Sequence, residues 1–108
     1  MKSITVEELA RRRRDGVPHV LLDVREPDEV RSLALSGALN IPMNEVAGRI
    51  AELPRDREIV VMCAKGGRSA KITTLLNDAG FARAVNLDRG IEAWSERYAG
   101  AASNAVET

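Results

Sequence analysis

Short apolar runs alternate with amphipathic stretches along almost all of the 108-residue chain, and this alternation restricts the possible folds more than any other feature. Four runs are typical of buried strands, namely HVLLDV, GALNIP, EIVVM and ARAVNL. Parallel strands need crossover connections, and the connections here have helical patterns. The sequence therefore predicts one α/β domain, with a small parallel sheet of four to five strands and helices on both faces.

Five segments have the periodicity of helices, and several have recognisable ends. Thr5 and Glu8 form a capping-box pattern before the first segment, which Gly16 ends, and Pro27 lies in the acid-rich first turn of the second. The helical patterns lie within residues 5–16, 25–35, 43–54, 69–79 and 90–99. Residues 100–108 show no periodicity, so the sequence predicts a domain over residues 1–99 and a disordered C-terminal tail.

Composition excludes several classes of function. Sixteen basic residues balance sixteen acidic ones, so the net charge gives no reason to expect binding to nucleic acid or to a membrane surface. One cysteine excludes an intrachain disulfide, and one histidine is too few for a Cys/His metal cluster, so we expect no metal and no cofactor. The charged N-terminal stretch and the lack of a long apolar run predict a soluble, cytoplasmic protein.

The only cysteine, Cys63, directly follows the EIVVM strand and precedes the sequence AKGGR and a helix that begins near Ser69. Glycines allow such a loop to turn its N–H groups inward, and the helix N-terminus adds roughly half a positive charge. Lys65 and Arg68 add two full charges, and all of these features favour a thiolate. A strand-end cysteine is often only a small apolar residue, but this environment favours a nucleophile.

A second polar segment also follows a predicted strand. DVRE, residues 23–26, follows the first strong strand, and ligands of parallel sheets bind beyond the carboxyl ends of strands. We therefore expect this segment and Cys63 to face one pocket. Arg25 would add a cation there. Asp23 could be a catalytic acid, but an acid at a strand end more often fixes the loop backbone, so it is interpreted mainly as a supporting residue.

Four stretches taken together resemble single-domain rhodaneses, a family of sulfurtransferases: LLDVREPDE, GALNIPM, VVMCAKGGRSA and LNDAGFARAVNLDRGIEAW. The resemblance extends to about Tyr98 and implies a rhodanese-like fold. In that family the loop cysteine takes a sulfane sulfur from a donor, such as thiosulfate, a persulfide or a polysulfide, and passes it to cyanide or a thiol. The resemblance implies that Cys63 carries the persulfide, supported by Asp23 and Ser69, while the sulfur and its donor are bound by Ala64, Lys65, Gly66, Gly67, Arg68 and Arg25.

The chain departs from the usual sequence of the family in one segment. The resemblance also implies which partners to expect. The family usually has a glycine, a histidine and a hydrophobic residue before the GA of GALNIP, whereas this chain has Leu33, Ala34 and Leu35. Because sulfur transfer to a thiolate needs no base on the enzyme, we expect this difference to alter the pocket wall and the donor preference. The expected partners are a small anionic sulfur donor and a thiol or thioredoxin-like acceptor, with the protein a monomer or weak homodimer.

Two other classes of function remain open. Related folds use a cysteine and arginine loop to bind a tetrahedral oxyanion, as in phosphatases and arsenate reductases. Four residues separate Cys63 from Arg68, whereas protein tyrosine phosphatases and rhodanese-like cell-cycle phosphatases have five, so the smaller loop favours a single sulfur. The third class is a noncatalytic module that binds a partner or senses oxidation, and an activity measurement separates it from the other two.

Overall fold

The computed structural model describes residues 1–98, so the predicted disordered tail lies outside the described residues. Five strands within these residues form one sheet: β1 (Ser3–Ile4), β2 (His19–Asp23), β3 (Leu39–Asn40), β4 (Glu58–Met62) and β5 (Ala84–Leu87). All pairs are parallel, and the order is β1-β5-β4-β2-β3. The α/β fold predicted from the alternating pattern is thus confirmed.

In the described part of the chain, four α-helices connect and cover the strands: α1 (Val6–Asp15), α2 (Pro27–Ser32), α3 (Gly67–Asp78) and α4 (Gly90–Arg97). The predicted capping box of α1 is present, with Thr5 and Glu8 each accepting from the other's backbone N–H. Gly16 ends α1 with a φ of 67°, a left-handed conformation that suits glycine. No helix within residues 1–98 has the length and apolarity needed to cross a membrane.

The sheet separates two apolar cores, because successive side chains of a strand point to opposite faces. One core joins α1 and α4 to the sheet through residues such as Leu9, Val60, Leu87, Ile91 and Trp94. The other joins α3 and the segment before β4 to the opposite face through residues such as Val46, Leu53, Val61, Ile72 and Leu76. Helices on both faces shield a sheet whose central strands are almost wholly apolar.

Two elements differ from the sequence-based prediction. β1 was not predicted, because two residues are too short to show alternation, and it forms by pairing with β5 at the sheet edge. The helix predicted over residues 43–54 is instead two 3₁₀ segments, Met43–Glu45 and Ala47–Glu52. The backbone of Arg49 leaves helical geometry within the second segment, which prevents a continuous α-helix.

The parallel register determines where the polar segments meet. Asp23 of β2 lies beside Met62 of β4, and Asn86 of β5 lies beside Val61. The residues that follow β2 and β4 therefore lie together at the carboxyl ends of the strands, as the sequence predicts for the DVRE segment and Cys63. The short helix α2, which has no buried residue, begins four residues beyond the end of β2 and lies at the same end of the sheet.

Candidate active site

Cys63 is the first residue after β4, and its side chain is only 1% exposed. Its Sγ accepts hydrogen bonds from the N–H groups of Gly66, at 3.1 Å, and Ser69, at 3.3 Å. Ser69 lies in the first turn of α3, where backbone N–H groups have no partner within the helix. The sulfur is therefore held at a helix N-terminus, where negative charge is favoured.

Opposing effects set the pKa of the Cys63 thiol. Burial raises this pKa, because it disfavours the charged thiolate. Hydrogen bonds from the Ser69 side chain and from the N–H groups of Ser69, Gly66 and Lys65 together outweigh burial, so the pKa lies below its ordinary value. Hydrogen bonds from the loop thus favour the thiolate, which is the nucleophilic form.

The N-terminus of α4 orients the loop after Cys63 through backbone hydrogen bonds. The N–H groups of Ile91 and Glu92 donate to the carbonyl oxygens of Cys63 and Ala64, at 3.0 and 3.1 Å. In a planar trans peptide the N–H points opposite to the C=O, so the N–H groups of Ala64 and Lys65 point away from α4. The contact with α4 therefore turns loop donors toward the side of the sulfur, in agreement with the effect of the Lys65 N–H on the thiol pKa.

The two glycines of the loop have different structural roles. Gly66 has a φ of +105°, and a Cβ at this position would lie 3.1 Å from the backbone nitrogen of Arg89. Both the dihedral angle and the close approach require a residue without a side chain. Gly67 has an ordinary φ, and a Cβ there would meet nothing within 4 Å. Only the first glycine is demanded by the conformation of the loop.

Arg68 is paired with an acid from α2. Its Nη1 and Nη2 donate to the Oε1 and Oε2 of Glu29 at 2.7 and 2.9 Å, a bidentate pair in which both side chains are about one-third exposed. The hydrogen bonds from Arg68 lower the pKa of Glu29 to about 2 and raise the pKa of Arg68. Arg68 therefore joins α2 to the cysteine loop through Glu29.

Asp23 and Arg25 form a buried pair of their own. Asp23 is 0% exposed, and its carboxylate accepts from the backbone N–H of Arg25 at 3.0 Å and from Nη2 of Arg25 at 2.8 Å. The same Nη2 donates to the carbonyl oxygen of Leu33 at 2.7 Å. Arg25 thus fastens the end of α2 to the sheet. The exposed Lys65, by contrast, forms no ion pair within residues 1–98, so its charge is free to act at the loop.

A family model described as a rhodanese-like domain matches residues 5–97 of the chain. The protein belongs to the rhodanese-like family. A sulfurtransferase from Allochromatium vinosum is 35% identical over 95 residues, which cover 88% of this chain and 89% of that protein. A probable adenylyltransferase/sulfurtransferase from Mycobacterium tuberculosis is 39% identical over 98 residues, which cover 88% of this chain but only 25% of the longer protein.

Solved structures support the same family. A rhodanese-related protein from Thermoplasma volcanium superposes with a TM-score of 0.83 and 32% identity, and the match covers 91% of this chain and 94% of that one. The five-stranded parallel sheet with helices on both faces is therefore the rhodanese-like fold that the resemblance implied. The relatives named as sulfurtransferases place this domain in a sulfur-transfer family.

Three residues at this rhodanese-like site were not identified from the sequence. Glu29 binds Arg68, Gly90 allows α4 to approach the loop, and Asn86 accepts a hydrogen bond from Ser69 Oγ at 2.6 Å. Asn86 had a recognisable signal, because it is a polar residue in the apolar run of β5. Glu29 and Gly90 had none, because acids are common in a first helical turn and glycines are common before a helix.

Proposed function

We propose that this domain is a rhodanese-type sulfurtransferase that carries a sulfane sulfur as a persulfide on Cys63. With thiosulfate as donor, the Cys63 thiolate attacks the outer sulfur and a new S–S bond forms. The S–S bond of the donor breaks, and sulfite leaves with its electron pair. The observation that carries the proposal is the set of N–H donors around Sγ, which favours a thiolate in a loop that contains no general base.

The loop also has donors for the second sulfur. Within residues 1–98, the N–H groups of Gly67 and Arg68 have no hydrogen-bond partner, because the first turn of α3 has no carbonyl groups before it in the helix. We propose that these groups bind the terminal, anionic sulfur of the persulfide. The site is suited to a single sulfur, since a phosphate would need the guanidinium of Arg68, which Glu29 already occupies.

We propose that the sulfur donor is a small molecule, such as thiosulfate or a persulfide. The acceptor would be thiophilic, such as cyanide, a small thiol or a thioredoxin-like protein. The nearly complete burial of Cys63 supports this choice, because a bulky donor has little access to Sγ. The acceptor needs to reach only the outer sulfur of the persulfide. A reducing compartment such as the cytoplasm would keep the lone thiol available.

The deciding experiment measures the intact mass of the protein after incubation with thiosulfate, with glutathione persulfide compared as donor. We expect a gain of one sulfur atom, which a reductant removes and prior alkylation of Cys63 prevents. Release of thiocyanate on addition of cyanide would complete the cycle. A protein that accepts sulfur from neither donor would be a noncatalytic module, and Cys63-dependent hydrolysis of aryl phosphates would indicate a phosphatase.

The lowered thiol pKa predicts a pH dependence. The thiolate fraction rises with pH through the pKa, so a lowered pKa moves the rise in sulfur loading to a lower pH than a free cysteine would show. The measurement is a titration of thiolate ultraviolet absorbance, with the Cys63→Ser protein as baseline, beside the pH profile of loading by thiosulfate. An inflection at or above that of a free cysteine would contradict the role of the loop hydrogen bonds.

Lys65→Ala tests the one exposed cation of the loop. We expect KM for thiosulfate to rise about threefold with kcat nearly unchanged, because an exposed charge attracts the donor without touching the reacting bond. Raising the salt concentration should reduce the difference from wild type. Lys71→Ala, which removes an exposed lysine farther along α3, is the matched control and should leave KM unchanged. Equal effects of the two variants would show that the position of Lys65 is irrelevant.

Arg68→Lys separates charge from shape. Lysine keeps the positive charge but lacks the planar pair of N–H groups that matches the two oxygens of Glu29, so α2 loses its bidentate contact with the loop. We expect kcat/KM to fall about tenfold, closer to Arg68→Ala than to wild type, with little dependence on salt. Arg49→Lys, which breaks a bidentate pair with Glu52 on another segment, is the control. Nearly full activity of Arg68→Lys would show that only its charge matters.

A further inference from the structure

Two buried polar side chains lie beside the sulfur on an otherwise apolar face of the sheet. Ser69 is 0% exposed and Asn86 is 5% exposed. Ser69 Oγ lies 3.3 Å from Cys63 Sγ, and the same hydroxyl donates to Asn86 Oδ1 at 2.6 Å. Sulfur, hydroxyl and amide thus form a continuous chain of hydrogen bonds that links the end of β4, the start of α3 and β5.

The single proton of the Ser69 hydroxyl limits what this chain of groups can do. When Cys63 is a thiol, its S–H can donate to Oγ while the hydroxyl donates to Asn86, so each group is satisfied. When Cys63 is a thiolate, the sulfur can only accept, and the Ser69 hydroxyl stabilises it only when the hydroxyl proton turns toward it. Oγ then needs a different donor, because a buried oxygen without a partner is costly.

An asparagine side chain meets both requirements. It carries a carbonyl oxygen that accepts and an NH₂ group that donates, and a half-turn about its last side-chain bond exchanges them. Asn86 can therefore accept from Ser69 beside a thiol and donate to Ser69 beside a thiolate. An aspartate of nearly the same shape could only accept when ionised, and an apolar residue could do neither.

We propose that Asn86 is a positioning residue for sulfur transfer, whose amide turns with the charge of the Cys63 sulfur so that the Ser69 hydroxyl donates to that sulfur when it is anionic. The inference rests on the function proposed above. When an acceptor thiolate attacks the outer sulfur of the persulfide, a new S–S bond forms. The bond from the outer sulfur to Sγ breaks, and its electron pair passes to Sγ. The Ser69 hydrogen bond then strengthens as charge develops on Sγ, which lowers the barrier to delivery.

The charged groups around the sulfur stay constant when the Ser69 hydroxyl is removed. Lys65 lies on the loop, and the pair of Arg68 and Glu29 joins α3 to α2. The buried pair of Asp23 and Arg25 lies at the carboxyl end of β2, at the same end of the sheet as Cys63. Each Ser69→Ala variant is therefore compared with a parent protein that has the same residue at position 86. These charges are the same in both proteins, so the difference between them reports the hydroxyl alone.

The experiment is a double-mutant cycle of Ser69→Ala with Asn86→Asp, read by kcat for sulfur delivery to cyanide and by ultraviolet titration of the Cys63 thiolate. With Asn86 present, Ser69→Ala should lower kcat about tenfold and raise the thiol pKa, because a hydrogen bond to a charged group is lost. In the Asn86→Asp background, Ser69→Ala should change neither kcat nor the thiol pKa. The carboxylate there accepts the hydrogen bond of the Ser69 hydroxyl at either charge of the sulfur, so the hydroxyl does not donate to Sγ. An equal cost in both backgrounds would overturn the proposal.

Two further variants keep the test decisive when folding or packing is disturbed. Should Asn86→Asp fail to fold, Asn86→Leu supplies the comparison without a buried charge, and the cost of Ser69→Ala should shrink severalfold; an unchanged cost would again overturn the proposal. Thr73→Val removes a buried hydroxyl that donates to the Ser69 carbonyl, and it should lower stability without moving the pH profile. The thiolate titration needs no sulfur donor, so it tests Asn86 even in a protein that fails to load sulfur.

Discussion

Gly90→Ala should destabilise the domain and almost abolish sulfur transfer. A Cβ at this position would lie 2.3 Å from the carbonyl oxygen of Cys63 and 2.6 Å from that of Ala64, and neither backbone atom can move independently of the loop. The φ of +55° adds a backbone strain that alanine does not tolerate well. We expect a loss of about 3 kcal/mol in the free energy of unfolding, which lowers Tm by about 10 °C or more.

The effect on activity should exceed the effect on stability. Relief of the overlap would separate α4 from the loop and break the hydrogen bonds from Ile91 and Glu92 that orient the loop peptides. The N–H groups around Sγ would lose their alignment, so sulfur loading should fall about a hundredfold at a temperature where the variant is folded. Mass measurement of loading and thermal denaturation test both effects.

Gly48→Ala is the matched control for this substitution. Gly48 is exposed, has an ordinary φ, and a Cβ there would meet nothing within 4 Å. Its substitution should leave both Tm and loading near the wild-type values. A Gly90→Ala protein that behaves like Gly48→Ala would show that the loop does not depend on the close approach of α4.

Local patterns predicted the fold well where segments were long enough to show a period. The four recognised strands and the helices α1, α2, α3 and α4 all appear, because apolar alternation and capping residues act within a few positions. The segment before β4 shows where a local pattern fits two structures. Val46 and Leu53 are buried, but their spacing suits short 3₁₀ segments as well as an α-helix.

The candidate site was predictable only as far as it is local in sequence. The cysteine, the glycine turn and the following helix are contiguous, so their relationship can be inferred from the chain alone. The partners of Arg68 and Ser69 come from α2 and β5, and only the folded sheet brings Glu29 and Asn86 to them. Asp23 is bound by Arg25 because the backbone N–H and the guanidinium of one nearby residue reach the same carboxylate.

Cys63→Ser should abolish sulfur transfer while the protein folds normally. The serine oxygen occupies nearly the same position and can accept from the N–H groups of Gly66 and Ser69, so the buried hydroxyl keeps hydrogen-bond partners. We expect a change in Tm of less than about 3 °C, because the loss of packing at one sulfur is small. The hydroxyl is not ionised at neutral pH, so no nucleophile remains to take the sulfur.

The expected result is no gain of sulfur mass and a fall in thiocyanate release of more than roughly a thousandfold. Since Cys63 is the only cysteine, no second thiol can replace it. Ser69→Ala is the informative comparison, because it removes a donor to the sulfur but leaves the nucleophile, and it should retain slower, measurable transfer. Transfer that persists in Cys63→Ser would refute the persulfide mechanism. A wild-type protein as inactive as Cys63→Ser, with an unchanged Tm, would instead identify the domain as a member of the family that binds without catalysing transfer.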